Sequence, residues 1–348
     1  MRAPYRPCVK LPHAAAPVKP FSLAKHALLG TAVCAAVLAA AIAFGGPGQP
    51  ASMPSINNPF SSVDFSRVPP LLHYSGADGA GLAYRYYAPQ ANSAPSGSAR
   101  GSVVLVHGSS ASSQSMHVLA QAFAAAGYAA YALDMRGHGA SGTKGDIAYV
   151  GQLEDDMDAF VRAVRPAAPA TLVGFSSGGG FVLRFAGSAR QQEFASYLLL
   201  SPFLSQDAPT YRPGGGGWVS VGVPRIVGLT VLSSVGITAF NSLPVTRFAL
   251  DERAKAVLTP AYSYTLAVNF RPKRDYAADI RAARQPVAVI AGVADELFFT
   301  DRFEPIFRQQ GQAWPVTLLP GIGHITLTLD PLAVNAAVVA VQGLRGRS

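Results

Sequence analysis

The sequence predicts an α/β fold: a mostly parallel sheet with helices on both faces, interrupted by an inserted cap and preceded by one N-terminal transmembrane helix. Three observations carry this. Strand and helix signals alternate from residue 102 to the end of the chain. Runs such as Ser102-Val-Val-Leu-Val106 are apolar without alternation, as strands buried on both faces require. The glycine-rich stretch Gly174-Phe-Ser-Ser-Gly-Gly-Gly180 falls where a strand ends and a helix begins.

The elements follow in order. Residues 1–26 are a basic leader, with Arg2, Arg6, Lys10, Lys19 and Lys25 and no acid. Ala27 to Phe44 carries no charge, so residues 27–46 are expected to be a transmembrane signal anchor, or a signal peptide cleaved after the small-x-small Ala41-Ile-Ala43. The basic flank predicts that the N-terminus stays in the cytoplasm and the rest is exported, to a bacterial periplasm or cell exterior. If the leader is cleaved, the protein is secreted. Residues 47–70, rich in Pro, Ser, Gly and Asn, read as a linker.

The α/β core is expected over residues 71–202 and 274–348. It opens with a hairpin, Leu71–Tyr74 and Leu82–Tyr87, around Gly76-Ala-Asp-Gly-Ala-Gly81. Strands are expected at Ser102–Val106, Tyr128–Leu133, Ala170–Phe175, Ser196–Leu200, Val287–Ala291 and Val316–Leu319. Helices are expected at Gln114–Ala126, Gln152–Val164, Ser177–Gly187, Asp275–Arg284, Asp301–Gln310 and Pro331–Leu344. The acids Glu154, Asp155 and Asp156 suit the first turn of the second of these. Residues 203–273 break the rhythm and read as a cap over the carboxyl ends of the strands. They hold Gly214-Gly-Gly-Gly217, then Trp218 and an apolar stretch through Phe240. Pro224 and Arg225 leave too short an apolar run for a second membrane span.

Hydrophobic residues make up 49% of the 348 and charged residues 14%, which supports a large core and excludes global disorder. The net charge of +9 is concentrated in the leader and leaves no basic run elsewhere, so nucleic acid is not an expected partner. The two cysteines, Cys8 and Cys34, both precede the core, which therefore holds together without a disulfide.

The stretch at 174–180 admits three readings: a flexible loop, a phosphate cradle, or a sharp turn exposing a nucleophile. A phosphate cradle needs Gly-Lys-Ser/Thr, and no lysine is present. Its place between a buried strand and a helix favours the G-x-S-x-G elbow, with Ser176 as nucleophile. A serine needs a base. His324, in Gly321-Ile-Gly-His324, is the one histidine downstream of Ser176 and follows the last strand. The base needs an orienting acid. Asp295 follows the penultimate strand directly, with Glu296 and Asp301 as neighbouring alternatives. Two N–H donors must face the oxyanion, and the candidates are the backbone of Ser177 and that of Ser109, just past His107-Gly108.

Val104-Leu-Val-His-Gly108, Leu133-Asp-Met-Arg-Gly-His-Gly139, Gly174-Phe-Ser-Ser-Gly178, Gly292-Val-Ala-Asp295 and Gly323-His324 together resemble the α/β-hydrolase fold family. Within it the chain looks like the lysophospholipase and monoacylglycerol-lipase-like (serine aminopeptidase S33-like) group with an inserted cap. The resemblance implies Ser176 as nucleophile, His324 as base, Asp295 as acid, and no metal or organic cofactor. It implies scaffold roles for Asp134 and His138. Two departures bear on substrate: Phe175 occupies the second position of the elbow, and Ser-Ser-Ala-Ser-Ser follows Gly108.

The expected activity is hydrolysis of carboxylic esters with a medium or long acyl chain, on a small-molecule or lipid-like substrate, with membrane contact through the N-terminal helix. Alternatives on the same triad are a peptidase, which would want a cap carboxylate such as Asp207, Asp251 or Glu252, and an acyltransferase. A non-catalytic membrane-tethered binding protein would be expected to have lost a triad member, and this chain keeps all three.

Overall fold

The computed structural model of the chain describes residues 20–90 and 100–345. Its strands are β1 (Leu71–Ser75), β2 (Gly81–Tyr87), β3 (Ser102–Val106), β4 (Ala129–Leu133), β5 (Ala170–Phe175), β6 (Ser196–Leu200), β7 (Val219–Val221), β8 (Pro244–Phe248), β9 (Ala261–Ser263), β10 (Val287–Gly292) and β11 (Val316–Leu319). Its helices are α1 (Pro20–Phe44), α2 (Pro54–Asn57), α3 (His117–Ala125), α4 (Gln152–Val164), α5 (Ser177–Ala186), α6 (Val223–Ser234), α7 (Glu252–Val257), α8 (Tyr264–Asn269), α9 (Tyr276–Ala282), α10 (Phe303–Gln309) and α11 (Pro331–Arg345).

Eight strands form one sheet in the order β1-β2-β4-β3-β5-β6-β10-β11. The hairpin β1–β2 joins β4 antiparallel, and every pair from β4 to β11 is parallel. The unbroken apolar runs sit where burial demands them: β3, β4, β5, β6 and β10 are buried at every residue. The edge strands β1 and β11 are partly exposed and more mixed in composition. Helices α3 and α11 pack together on one face, while α5 packs with α9 on the other and is tied to α4 by the Arg184–Glu154 ion pair. Helix starts carry their own signals. Asp275 caps α9 by accepting from the Ala278 N–H, and α4 begins with Glu154 and Asp155. The helices expected from Gln114 and Asp301 begin as 3₁₀ turns, Ser113–Met116 and Thr300–Arg302.

The cap contains a feature the sequence did not announce, a three-stranded antiparallel sheet in the order β7-β8-β9. Helix α6 crosses beside it.

The N-terminal region departs most from expectation. The basic leader up to residue 19 lies outside the described residues. The apolar run does fold as the helix α1, but among the described residues no helix is long and apolar enough to cross a membrane. The last turns of α1 are instead committed to the cap. Ile42 is buried with Leu229, Val245 and Tyr264, and Arg225 donates to the carbonyls of Ile42 and Ala43. An arginine at a helix C-terminus satisfies carbonyls that have no partner within the helix. The segment read as a linker is packed as well: Ile56 joins the main core, and the Met53 N–H and Asn57 Nδ2 both donate to the Ala249 carbonyl. Residues 49–65 thus form a strap across the cap.

Candidate active site

Three loops at the carboxyl ends of β5, β10 and β11 bring Ser176, Asp295 and His324 together. Ser176 Oγ lies 3.0 Å from His324 Nε2, and His324 Nδ1 lies 2.8 Å from Asp295 Oδ2. All three residues are buried. Ser176 adopts φ 56° and ψ −120°, a conformation that L-residues avoid. The glycines on either side make the elbow possible. A Cβ on Gly174 would meet the Gly178 carbonyl oxygen at 2.3 Å, and one on Gly178 would meet the His107 carbonyl oxygen at 2.2 Å.

Asp295 is fixed by its own backbone. Its Oδ1 accepts from the N–H groups of Leu297 and Phe298, leaving Oδ2 for the imidazole. Burial pushes this carboxyl up, but the charge and hydrogen bond of His324 and the Leu297 N–H outweigh it and hold the group below the usual carboxylate range. Glu296, the alternative acid in the sequence, does a different job: its carboxylate accepts from the backbone N–H of His324 at 2.8 Å. The side chain of Phe175 packs on the imidazole, ring centroids 4.7 Å apart.

Ser109 and Ser177 line one cavity with Ser176. Of the two N–H groups after Gly108, that of Ser110 is already taken by the Tyr262 hydroxyl at 2.6 Å. Among the described residues no partner holds the Ser109 N–H, so it remains available to donate. The same Tyr262 hydroxyl meets His138 Nε2 at 2.6 Å. Burial, with the neighbouring His107, depresses His138 well below its ordinary value, so the ring is neutral and accepts the hydroxyl proton. His107 and Asp134 are scaffold too. The first accepts from the Met135 N–H, and the second accepts from the N–H groups of Ser113 and Ala140.

Sequence reasoning missed what the cap contributes. Trp218 Nε1 donates to Ser109 Oγ, and Arg212 Nε donates to the carbonyls of Asp295 and Phe298. Trp218 was visible as an isolated aromatic after a glycine run, but nothing local linked it to Ser109.

Two cavities meet at Ser176, and Ser109, Trp218 and Leu297 border both. The first, about 820 Å³, runs under the cap along Phe203 and the Val223, Val227 and Val231 stripe of α6. The second, about 640 Å³, lies on the side of His324, between α7 and the strap.

This arrangement is that of an α/β-hydrolase site. The family described as serine aminopeptidase, S33, matches residues 97–328, two thirds of the chain, and the chain belongs to it. The monoacylglycerol lipase of Mycolicibacterium smegmatis is 33% identical over 138 residues, which cover 38% of this chain and 46% of that protein. Among solved structures, a soluble variant of the monoglyceride lipase of Saccharomyces cerevisiae in complex with a substrate analogue superposes with a TM-score of 0.61 at 19% identity. It covers 80% of this chain and 96% of that one. The esterase RhEst1 from Rhodococcus sp. ECU1013 gives 0.54 at 19% identity over 79% and 99%.

Proposed function

We propose that the protein is a serine hydrolase that cleaves carboxylic esters bearing a medium or long acyl chain. The observation that carries this reading is Ser176 Oγ held 3.0 Å from His324 Nε2 at the foot of a large cavity rimmed by apolar side chains. His324 takes the Ser176 proton as the oxygen attacks the ester carbonyl. The Ser109 and Ser177 N–H groups receive the oxyanion, and Asp295 holds the imidazole and balances its charge. Collapse breaks the bond to the alcohol, whose oxygen takes the proton back from His324 and leaves an acyl-Ser176. Water, deprotonated by His324, then releases the acid and restores the serine.

The aminopeptidase alternative has less support. It wants a free carboxylate for the substrate ammonium, yet Asp207 stands in the first cavity beside Arg271, Lys273 and Arg274. In the second cavity the Asp251 carboxylate is occupied as the cap of α7. Export of the domain from the cytoplasm, read from the basic leader and the apolar run after it, belongs to the same proposal, and fractionation of cells expressing the full chain tests it.

The test of the activity is labelling by a fluorophosphonate probe, in wild type and Ser176→Ala, followed by a chain-length series of esters. Labelling of the wild type alone, with turnover rising from acetyl to longer acyl groups, is the expected result. Equal labelling of both proteins, or none of the folded wild type, overturns the proposal.

A further inference from the structure

The nucleophile stands at the junction of two large cavities, and chemistry distinguishes them. When the tetrahedral intermediate collapses, the departing alkoxide must take its proton from His324 Nε2, so the alcohol lies on the side of that ring. His324 borders the second cavity and not the first, whereas Ser177 borders the first and not the second. The acyl group therefore belongs under the cap and the alcohol in the second cavity.

That second cavity is far larger than glycerol requires. At about 640 Å³ it falls within the range, roughly 300–1,000 Å³, of sites that enclose a drug-sized ligand. Its lining joins Phe60 and Phe65 of the strap with Leu71, Val257 and Leu258. Of its charged members, Arg85, Asp134 and Asp251 are engaged within the protein and Arg253 is exposed. The strap is a fixed wall, because Gln49 Nε2, the Met53 N–H and Asn57 Nδ2 donate to the carbonyls of Phe248 and Ala249 at the end of β8. Phe60, Phe65 and Leu71 also precede residue 97, where the family match begins, so this part of the wall lies outside the matched segment, while Val257 and Leu258 lie within it.

We infer that the second cavity is an alcohol subsite for a bulky, largely apolar alcohol, and that the preferred substrates are esters large on both sides of the carbonyl rather than monoacylglycerols. This rests on the ester-hydrolase reading above. The strap thereby becomes a specificity-determining element.

The experiment compares two hexanoate esters of alcohols with similar intrinsic reactivity, monohexanoylglycerol and naphthylethyl hexanoate, on the purified full chain. The bulky ester is expected to show a kcat/KM at least roughly tenfold higher, the scale on which an apolar pocket discriminates. In Phe60→Ala and Phe65→Ala the ratio of the two kcat/KM values falls toward one, mostly through KM. Val257→Trp, at an exposed position bordering the cavity, fills the space without disturbing the core and lowers the same ratio. A wild-type ratio near or below one, or a ratio unmoved by all three variants, overturns the inference and leaves the ester-hydrolase reading standing. No turnover of either ester by a folded, monodisperse protein overturns both.

Discussion

Trp218 Nε1 donates a 2.9 Å hydrogen bond to Ser109 Oγ, tying the cap to the residue proposed above to present its N–H to the oxyanion. The indole also stacks on Phe248, centroids 5.4 Å apart. Trp218→Phe keeps the stack and loses the bond. A single neutral hydrogen bond of this kind contributes about 0.5–1.5 kcal/mol, so kcat should fall roughly two- to twelvefold with the fold intact. Ser109→Ala should do the same, and the double variant should be no worse than either single one in steady-state kinetics.

Ser176→Ala and His324→Ala should each abolish all but a residual rate, a drop on the order of 10⁵–10⁶ in kcat, since members of a triad act as a unit. Circular dichroism should be unchanged. Asp295→Asn should cost less, about 10⁴. Glu296→Gln should cost far less again, because Glu296 holds the backbone of His324 and not its ring. A larger loss in Glu296→Gln than in Asp295→Asn would reverse the assignment of the acid.

Stability should fall on mild acidification. Burial depresses both His107 and His138, and His107 adds to the effect on His138. The folded protein keeps these rings neutral at pH values where the unfolded chain, with ordinary histidines near 6.5, already binds protons. The stabilising contribution is therefore complete above about pH 6.5 and declines below it, by up to about 1.4 kcal/mol per pH unit for each ring. Thermal melts between pH 8 and 5 read this directly, and His138→Gln should flatten the slope. An unchanged Tm across that range would contradict the buried neutral pair.

Gly174→Ala and Gly178→Ala should each destabilise by several kcal/mol or leave no active protein, since the added methyl meets backbone oxygen in both cases. Denaturant titration and fluorophosphonate labelling separate loss of fold from loss of geometry. An active, stable Gly174→Ala protein would mean that the elbow is looser than described.

Much of the geometry around Ser176 was legible because it depends on local features. Runs such as Val103–Val106 are buried at every position, and glycine marks the close approaches around Ser176 and precedes His324. The short β7, three half-exposed residues long, shows no alternation, and its pairing of Val219 with Phe248 joins positions far apart in sequence. The strap reads as a linker because its attachment runs through one backbone N–H, that of Met53, and the Asn57 side chain onto the Ala249 carbonyl, with the single buried Ile56 giving no hydrophobic period. The uncharged run from Ala27 to Phe44 reads as a membrane span, whereas the packing of Ile42 and Leu38 on Gly228 is invisible until the cap is folded.

Arg225 grips three carbonyls at once, those of Ile42, Ala43 and Pro244. Gly45 lies beside Pro224, and Ile42 and Leu38 beside Gly228, so α1 and α6 run in opposite directions, side by side. The last turns of α1 are therefore locked against the helix whose Val223, Val227 and Val231 border the first cavity. A change at Arg225 or Gly228 would reach the wall of that cavity and the N-terminal helix together.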